Sequence, residues 1–186
     1  MSIKPLDPQT ALIVIDLQQG IRSYPLALPF DAVLSRACTL AQAFRQQKLP
    51  VVLVSVDGAA PGRNQLPPAP PRPAGWSDLV AELQPQPQDL QIRKQTWGAF
   101  SGSGLADYLR QQAVTQVVIV GVATSIGVES TARQAHELGF NVALATDAMS
   151  DMSLAAHQNS IERIFPRLGE TASTQEILSA LQARKH

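Results

Sequence analysis

One stretch limits the possible folds of this chain more than any other: residues 116 to 139, QVVIVGVATSIGVESTARQAHELG. Val117 to Val120 form an unbroken β-branched run without polar alternation, the pattern of a strand covered on both faces in a parallel sheet. Gly121 ends the run. From Thr124 or Ser125 the spacing becomes helical, with Ala132, Ala135 and Leu138 suited to one packed face and Glu129 in the first turn, where the helix dipole favours negative charge. A strand that feeds directly into a helix leaves several backbone N–H groups unpaired at the carboxyl edge of the sheet, where open α/β folds bind small ligands. Chemistry is therefore expected first at residues 123 to 128.

The rest of the chain repeats this alternation. Apolar runs predict strands at 11 to 15, ending in Asp16, at 51 to 56, at 90 to 93, at 141 to 145 with Asp147 just beyond, and at 169 to 172. Between them, the apolar spacing of Val33, Leu34, Ala37, Leu40, Ala41 and Phe44 predicts a helix over 30 to 48. Further helices are expected over 76 to 83, from Ser101 or Ser103 to about 112, over 125 to 138, over 153 to 164 and over 174 to 183. Residues 58 to 75 are dense in Pro and Gly, and read as a stiffened loop that either covers the site or lies on the surface. Together these elements predict a three-layer α/β/α sandwich around a doubly wound, mostly parallel sheet. At 186 residues, the chain reads as one domain spanning 1 to 186.

Fifteen basic residues balance fifteen acidic ones, so no global field draws nucleic acid or an anionic membrane. No apolar run is long enough to span a bilayer, and the start MSIKPLDPQT lacks the layout of a signal peptide. The lone cysteine, Cys38, cannot form an internal disulfide, sits between apolar helical neighbours and is expected to pack as a small hydrophobe. These features point to a cytoplasmic protein. His136, His157 and His186 lack the spacing and the accompanying acids of a metal site, so neither a metal nor a cofactor is expected.

Asp16 closes an apolar strand, where a carboxylate is costly unless it is paired or hydrogen-bonded. Taken alone it reads equally as a structural cap or a catalytic acid. Lys94 alone reads as a surface charge. Thr124 and Ser125 offer hydroxyls near the expected site, but no base is evident beside them and capping is the expected role.

Three segments resemble the isochorismatase-like hydrolase superfamily. They are Ala11 to Gln18 (ALIVIDLQ), Lys94 to Leu105 (KQTWGAFSGSGL), with Gly98 and Ser103 where the family pattern has Ser and Thr, and Gly121 to Arg133 (GVATSIGVESTAR). Gly127 stands where the amidase branches of that superfamily carry a nucleophilic cysteine, whereas isochorismatases proper are similar to this chain in having glycine. The resemblance implies Asp16 as catalytic acid, Lys94 as its charged partner and Gly127 as space for substrate. Ala123, Thr124, Trp97 and Phe100 are then expected around the substrate. It also implies a cis peptide at Val122–Ala123, a backbone able to accept cysteine at 127, and assembly into a homo-oligomer of two or more copies. The metal motif of the nicotinamidases, Asp-x-His-His, is absent after Asp57. Where isochorismatases have Tyr-Ala-His-x-Gly this chain has Ala123-Thr124-Ser125-Ile126-Gly127, and their arginine has no match except Arg63 or Arg72 as a carboxylate contact. The implied activity is metal-independent hydrolysis of a small vinyl ether without a covalent intermediate. The alternative is a catalytically silent homologue that binds a small molecule.

Overall fold

The computed structural model describes residues 3–67 and 70–184. His186, and residues 68 and 69 of the proline-rich loop, lie outside the described residues. Six strands form one sheet: β1 (Thr10–Ile15), β2 (Val51–Val56), β3 (Leu90–Lys94), β4 (Gln116–Val122), β5 (Asn141–Ser150) and β6 (Glu170–Ala172). They lie in the order β3-β2-β1-β4-β5-β6, and every pairing is parallel. β1, β2 and β4 are buried almost throughout, which explains why their sequences carry no alternation.

One face of the sheet is covered by α1 (Phe30–Gln46) and α6 (Thr174–Gln182). There Phe44, Leu40 and Ile177 pack against Leu12, Val14 and Leu53. The other face packs against α2 (Leu105–Gln111), α3 (Glu129–Glu137) and α5 (Phe165–Leu168), through Leu109, Ala132 and Phe165. The chain winds from β1 toward β2 and β3, then crosses to β4 and continues toward β6. The reversal falls between β1 and β4, and it opens a crevice beyond their carboxyl ends.

Three elements depart from the sequence-based expectation. Residues 76 to 83 form no helix beyond the single turn Ala81–Leu83. Instead, Gln19 N–H donates to Asp78 O, Gly20 N–H to Trp76 O and Val80 N–H to Leu17 O, so the segment runs beside 17 to 20 and spends its backbone groups there. The strand expected to stop at 145 continues to Ser150, with a register shift opposite Ile119 and Gly121. The shift turns Asp147 toward α6, where its Oδ1 accepts the N–H and hydroxyl of Thr174. Finally, the helix over 153 to 164 is α4 (Leu154–Asn159) followed by a wider π turn, Ser160–Ile164, that runs into α5. Pro166 follows that turn and has no N–H to continue an ordinary ladder.

Candidate active site

Asp16 follows β1 directly, at the switch point, and its backbone takes φ 53, a left-handed conformation uncommon outside glycine. Lys94 is the last residue of β3, two strands away. Their side chains meet: Lys94 Nζ donates to Asp16 Oδ2 at 2.8 Å, with the residues only 4% and 5% exposed. The other oxygen, Oδ1, is buried without a hydrogen-bond partner. Burial pushes the Asp16 carboxyl up to about 6, and the charge and hydrogen bond of Lys94 oppose the rise without cancelling it. Desolvation therefore wins, leaving a carboxylic acid able to hold its proton close to neutral pH.

The third component is the turn after β4. Gly121 has φ 121, and a Cβ there would lie 2.0 Å from Ile15 O, so only glycine lets β4 lie this close to β1. The Val122–Ala123 peptide is cis, as the resemblance implied. Thr124–Val128 form a π turn, and α3 begins at Glu129. Neither Thr124 nor Ser125 caps it. Ser125 N–H and hydroxyl both donate to Asp151 Oδ2, which fastens the turn to the loop after β5. Thr124 is fully buried, with its hydroxyl 2.8 Å from His157 Nδ1. Desolvation lowers the His157 pKa, while Asp151 acts against the fall. No motif or spacing in the sequence marks this histidine, 33 positions away, as the partner of Thr124.

Asp16, Lys94, Ala123, Gly127 and Trp97 line a single cavity of about 740 Å³. Its mouth is ringed by Tyr24, Leu66, Trp76, Met152 and Arg72. Trp97, 65% exposed, stands at the edge of the cavity. Arg72 stacks over Trp76 at 4.0 Å and donates to Gly58 O, which places the proline-rich segment over the site rather than on a remote surface. Arg63 is exposed and does not line the cavity. Gln18, fully buried, holds the floor in place: its amide donates to Val56 O and Trp76 O and accepts from Val56 N–H.

Two expected contacts are corrected. Phe100 lies outside the cavity lining and stacks on Phe140, with ring centroids 6.0 Å apart, its own N–H held by Gln134 Oε1 on α3. Thr124 is fully buried against His157 and does not line the cavity. Gly127 also proves tighter than expected, since a Cβ would meet Ile15 Cγ2 at 2.9 Å and Asp16 Oδ2 at 3.2 Å. A cysteine there requires a fully buried neighbour to move. Cys38 donates to Glu82 O on the α1 face, remote from the cavity, and burial pushes its thiol up.

Comparison with known proteins agrees with this architecture. The profile of the isochorismatase domain matches residues 10–176. The uncharacterized isochorismatase family protein YecD of Escherichia coli O157:H7 is 43% identical, covering 92% of this chain and 96% of its own. The isochorismatase of Bacillus subtilis is 31% identical over 56% of this chain, a match that spans 33% of that protein. Among solved structures, an isochorismatase family protein from Burkholderia thailandensis superposes with a TM-score of 0.93 at 39% identity, covering 98% of this chain and 100% of its own.

Proposed function

We infer the function from one premise: this chain belongs to the isochorismatase family, and it is a hydrolase of that family. We propose that it hydrolyses a small enol (vinyl) ether without metal, cofactor or covalent intermediate. The observation that carries the reading is the Asp16 carboxyl, buried in the cavity floor and pushed up to about 6 despite a lysine at 2.8 Å. A carboxyl held near 6 can give up a proton to substrate and take one back within the same cycle, the exchange that this hydrolysis needs.

In the proposed reaction, Asp16 delivers its proton to the terminal carbon of the C=C–O unit, forming an oxocarbenium ion. The resulting carboxylate is stabilised by Lys94 Nζ. Water adds to the cationic carbon and returns a proton to Asp16. The hemiketal then breaks its bond to the leaving oxygen, giving a carbonyl compound and an alcohol. Gly127 keeps the wall beside Asp16 free of a side chain that would press on Ile15 Cγ2 and Asp16 Oδ2, and Ala123 and Trp97 flank the substrate. Arg72, held face-on by Trp76 at the mouth, suits an anionic group on the substrate.

In this reading residues 1 to 186 act as one hydrolase domain that binds no nucleic acid, consistent with balanced charge. Among the described residues no helix is long and apolar enough to cross a membrane. A cytoplasmic location is proposed on the strength of the lone free thiol. Association of copies is proposed because large apolar side chains, Leu66, Trp97, Met152 and Leu154, are exposed, the first three around the mouth. Sedimentation of the purified protein tests it.

The test of function is turnover of isochorismate and of simple 2-alkoxyacrylates. Wild type should release the carbonyl product, and Asp16→Asn should lose about a hundredfold or more in rate while still binding. Equal rates in the two proteins would refute the role of Asp16, and absence of turnover with every enol ether would favour the silent homologue.

A further inference from the structure

The two walls of the cavity come from segments far apart in sequence, the Gly127 turn and the loop that leaves β3 at Lys94 and carries Trp97. One buried hydroxyl joins them. Thr131, fully buried on α3, donates to Gly127 O at 2.7 Å and accepts the Ala99 N–H at 3.1 Å. The first contact is an ordinary bond back one helical turn, but the second reaches 32 positions away, into the Lys94 loop. A turn further along α3, Gln134 Oε1 accepts the Phe100 N–H at 3.1 Å, and its Nε2 donates to Ser101 Oγ at 2.7 Å.

The loop is shaped to receive these groups. Thr96 Oγ1 donates to Gly98 O and Ser103 Oγ to Ala99 O, folding 96 to 103 on itself so that consecutive N–H groups face α3. A Cβ at Gly98 would lie 2.1 Å from Gln134 Oε1. The glycine at 98, where the resemblance leads one to expect serine, is thus the complement of Gln134. α3 thus holds the loop through hydrogen bonds from Thr131 and Gln134 to three consecutive residues, Ala99, Phe100 and Ser101.

We propose that Thr131, backed by Gln134, is a positioning residue that fixes the spacing between the Gly127 turn and the Lys94 loop, and so the shape of the space in which substrate meets Asp16. The proposal rests on the hydrolytic reading only for what that space is used for; the clamp itself is open to test without substrate. Thr131 touches no reacting atom and acts through Gly127 and the segment after Lys94.

Thr131→Val keeps the shape and removes the hydroxyl, whereas Thr131→Ser keeps both hydrogen bonds. The readout is the midpoint at which the Asp16 carboxyl titrates, followed by carbon NMR, together with kcat and KM on a 2-alkoxyacrylate. Loosening the clamp admits water beside Asp16. Because burial is the largest influence holding the Asp16 pKa up, Thr131→Val should lower the midpoint by about half a pH unit or more. Its kcat should fall by about tenfold with a smaller change in KM, and Thr131→Ser should restore both. An unchanged or raised midpoint in folded Thr131→Val overturns the proposal. If that variant fails to fold, Gln134→Ala, at a half-buried site, decides by the same criterion: a lowered midpoint supports the clamp and an unchanged one overturns it. Should wild type turn over no enol ether, the proposed reaction fails while the midpoint still decides on the clamp.

Discussion

Raising the pH from about 4 to about 6.5 should weaken the folded protein through Asp16 in a way that Asp16→Asn does not share. In the unfolded chain the carboxyl titrates at its ordinary value of 3.8, but in the folded protein burial holds it near 6. Between those values the folded state binds the proton and the unfolded state has released it, so stability falls as pH rises. Below 3.8 both states are protonated and the cost is absent; above about 6 both are ionised and the cost is fully expressed. Its size is on the order of 3 kcal/mol, the free energy equivalent of the displaced titration. Urea unfolding of wild type and Asp16→Asn at a series of pH values between 4 and 6.5 isolates it, because every other titrating group is common to both proteins. The variant should gain on wild type by about 2 kcal/mol across that interval, most steeply around pH 5. Parallel curves would refute the reasoning, since they would mean that Asp16 ionises in the folded protein as it does in the unfolded one.

The same carboxyl should govern the rate. On an enol ether, kcat/KM should be level below about pH 6 and fall tenfold per pH unit above it. Lys94→Met should move that falling limb upward, because Lys94 is what lowers the Asp16 pKa; a limb in the same place would show that the pair does not govern the reaction. Gly127→Ala puts a methyl 2.9 Å from Ile15 Cγ2 in a filled core. It should cost about 1–3 kcal/mol in unfolding free energy, together with much of the activity. An unchanged thermal midpoint would contradict it.

The sequence was most informative where burial is two-sided. The runs at 11 to 15, 51 to 56 and 117 to 120 show no alternation because both faces of the sheet are covered, so they are legible as central parallel strands. Once β1 and β3 are parallel members of one sheet, their carboxyl ends must lie on the same edge, and the Lys94 side chain then reaches past β2 to meet Asp16. Hydrogen bonds between distant segments left no such trace. Thr131 to Ala99 and Thr124 to His157 join residues whose types are common on any helix, and only the packed fold brings them together. The strip at 76 to 83 departs from its pattern for a related reason: its apolar spacing suits a helix, but its N–H and C=O groups are claimed by 17 to 20. Phe100 carries the same lesson, since the resemblance places the residue in the right loop while the fold stacks its ring on Phe140, outside the cavity lining.

The central claim is that Asp16 protonates carbon. Hydrolysis of a 2-alkoxyacrylate in D₂O enriched in heavy-oxygen water tests it most directly, with Asp16→Asn run beside wild type and the products read by NMR and mass spectrometry. The account predicts, in the wild-type reaction only, one deuterium on the carbon next to the new carbonyl and ordinary oxygen in the released alcohol. A product bearing only hydrogen at that carbon, or an alcohol carrying the heavy oxygen, would contradict it.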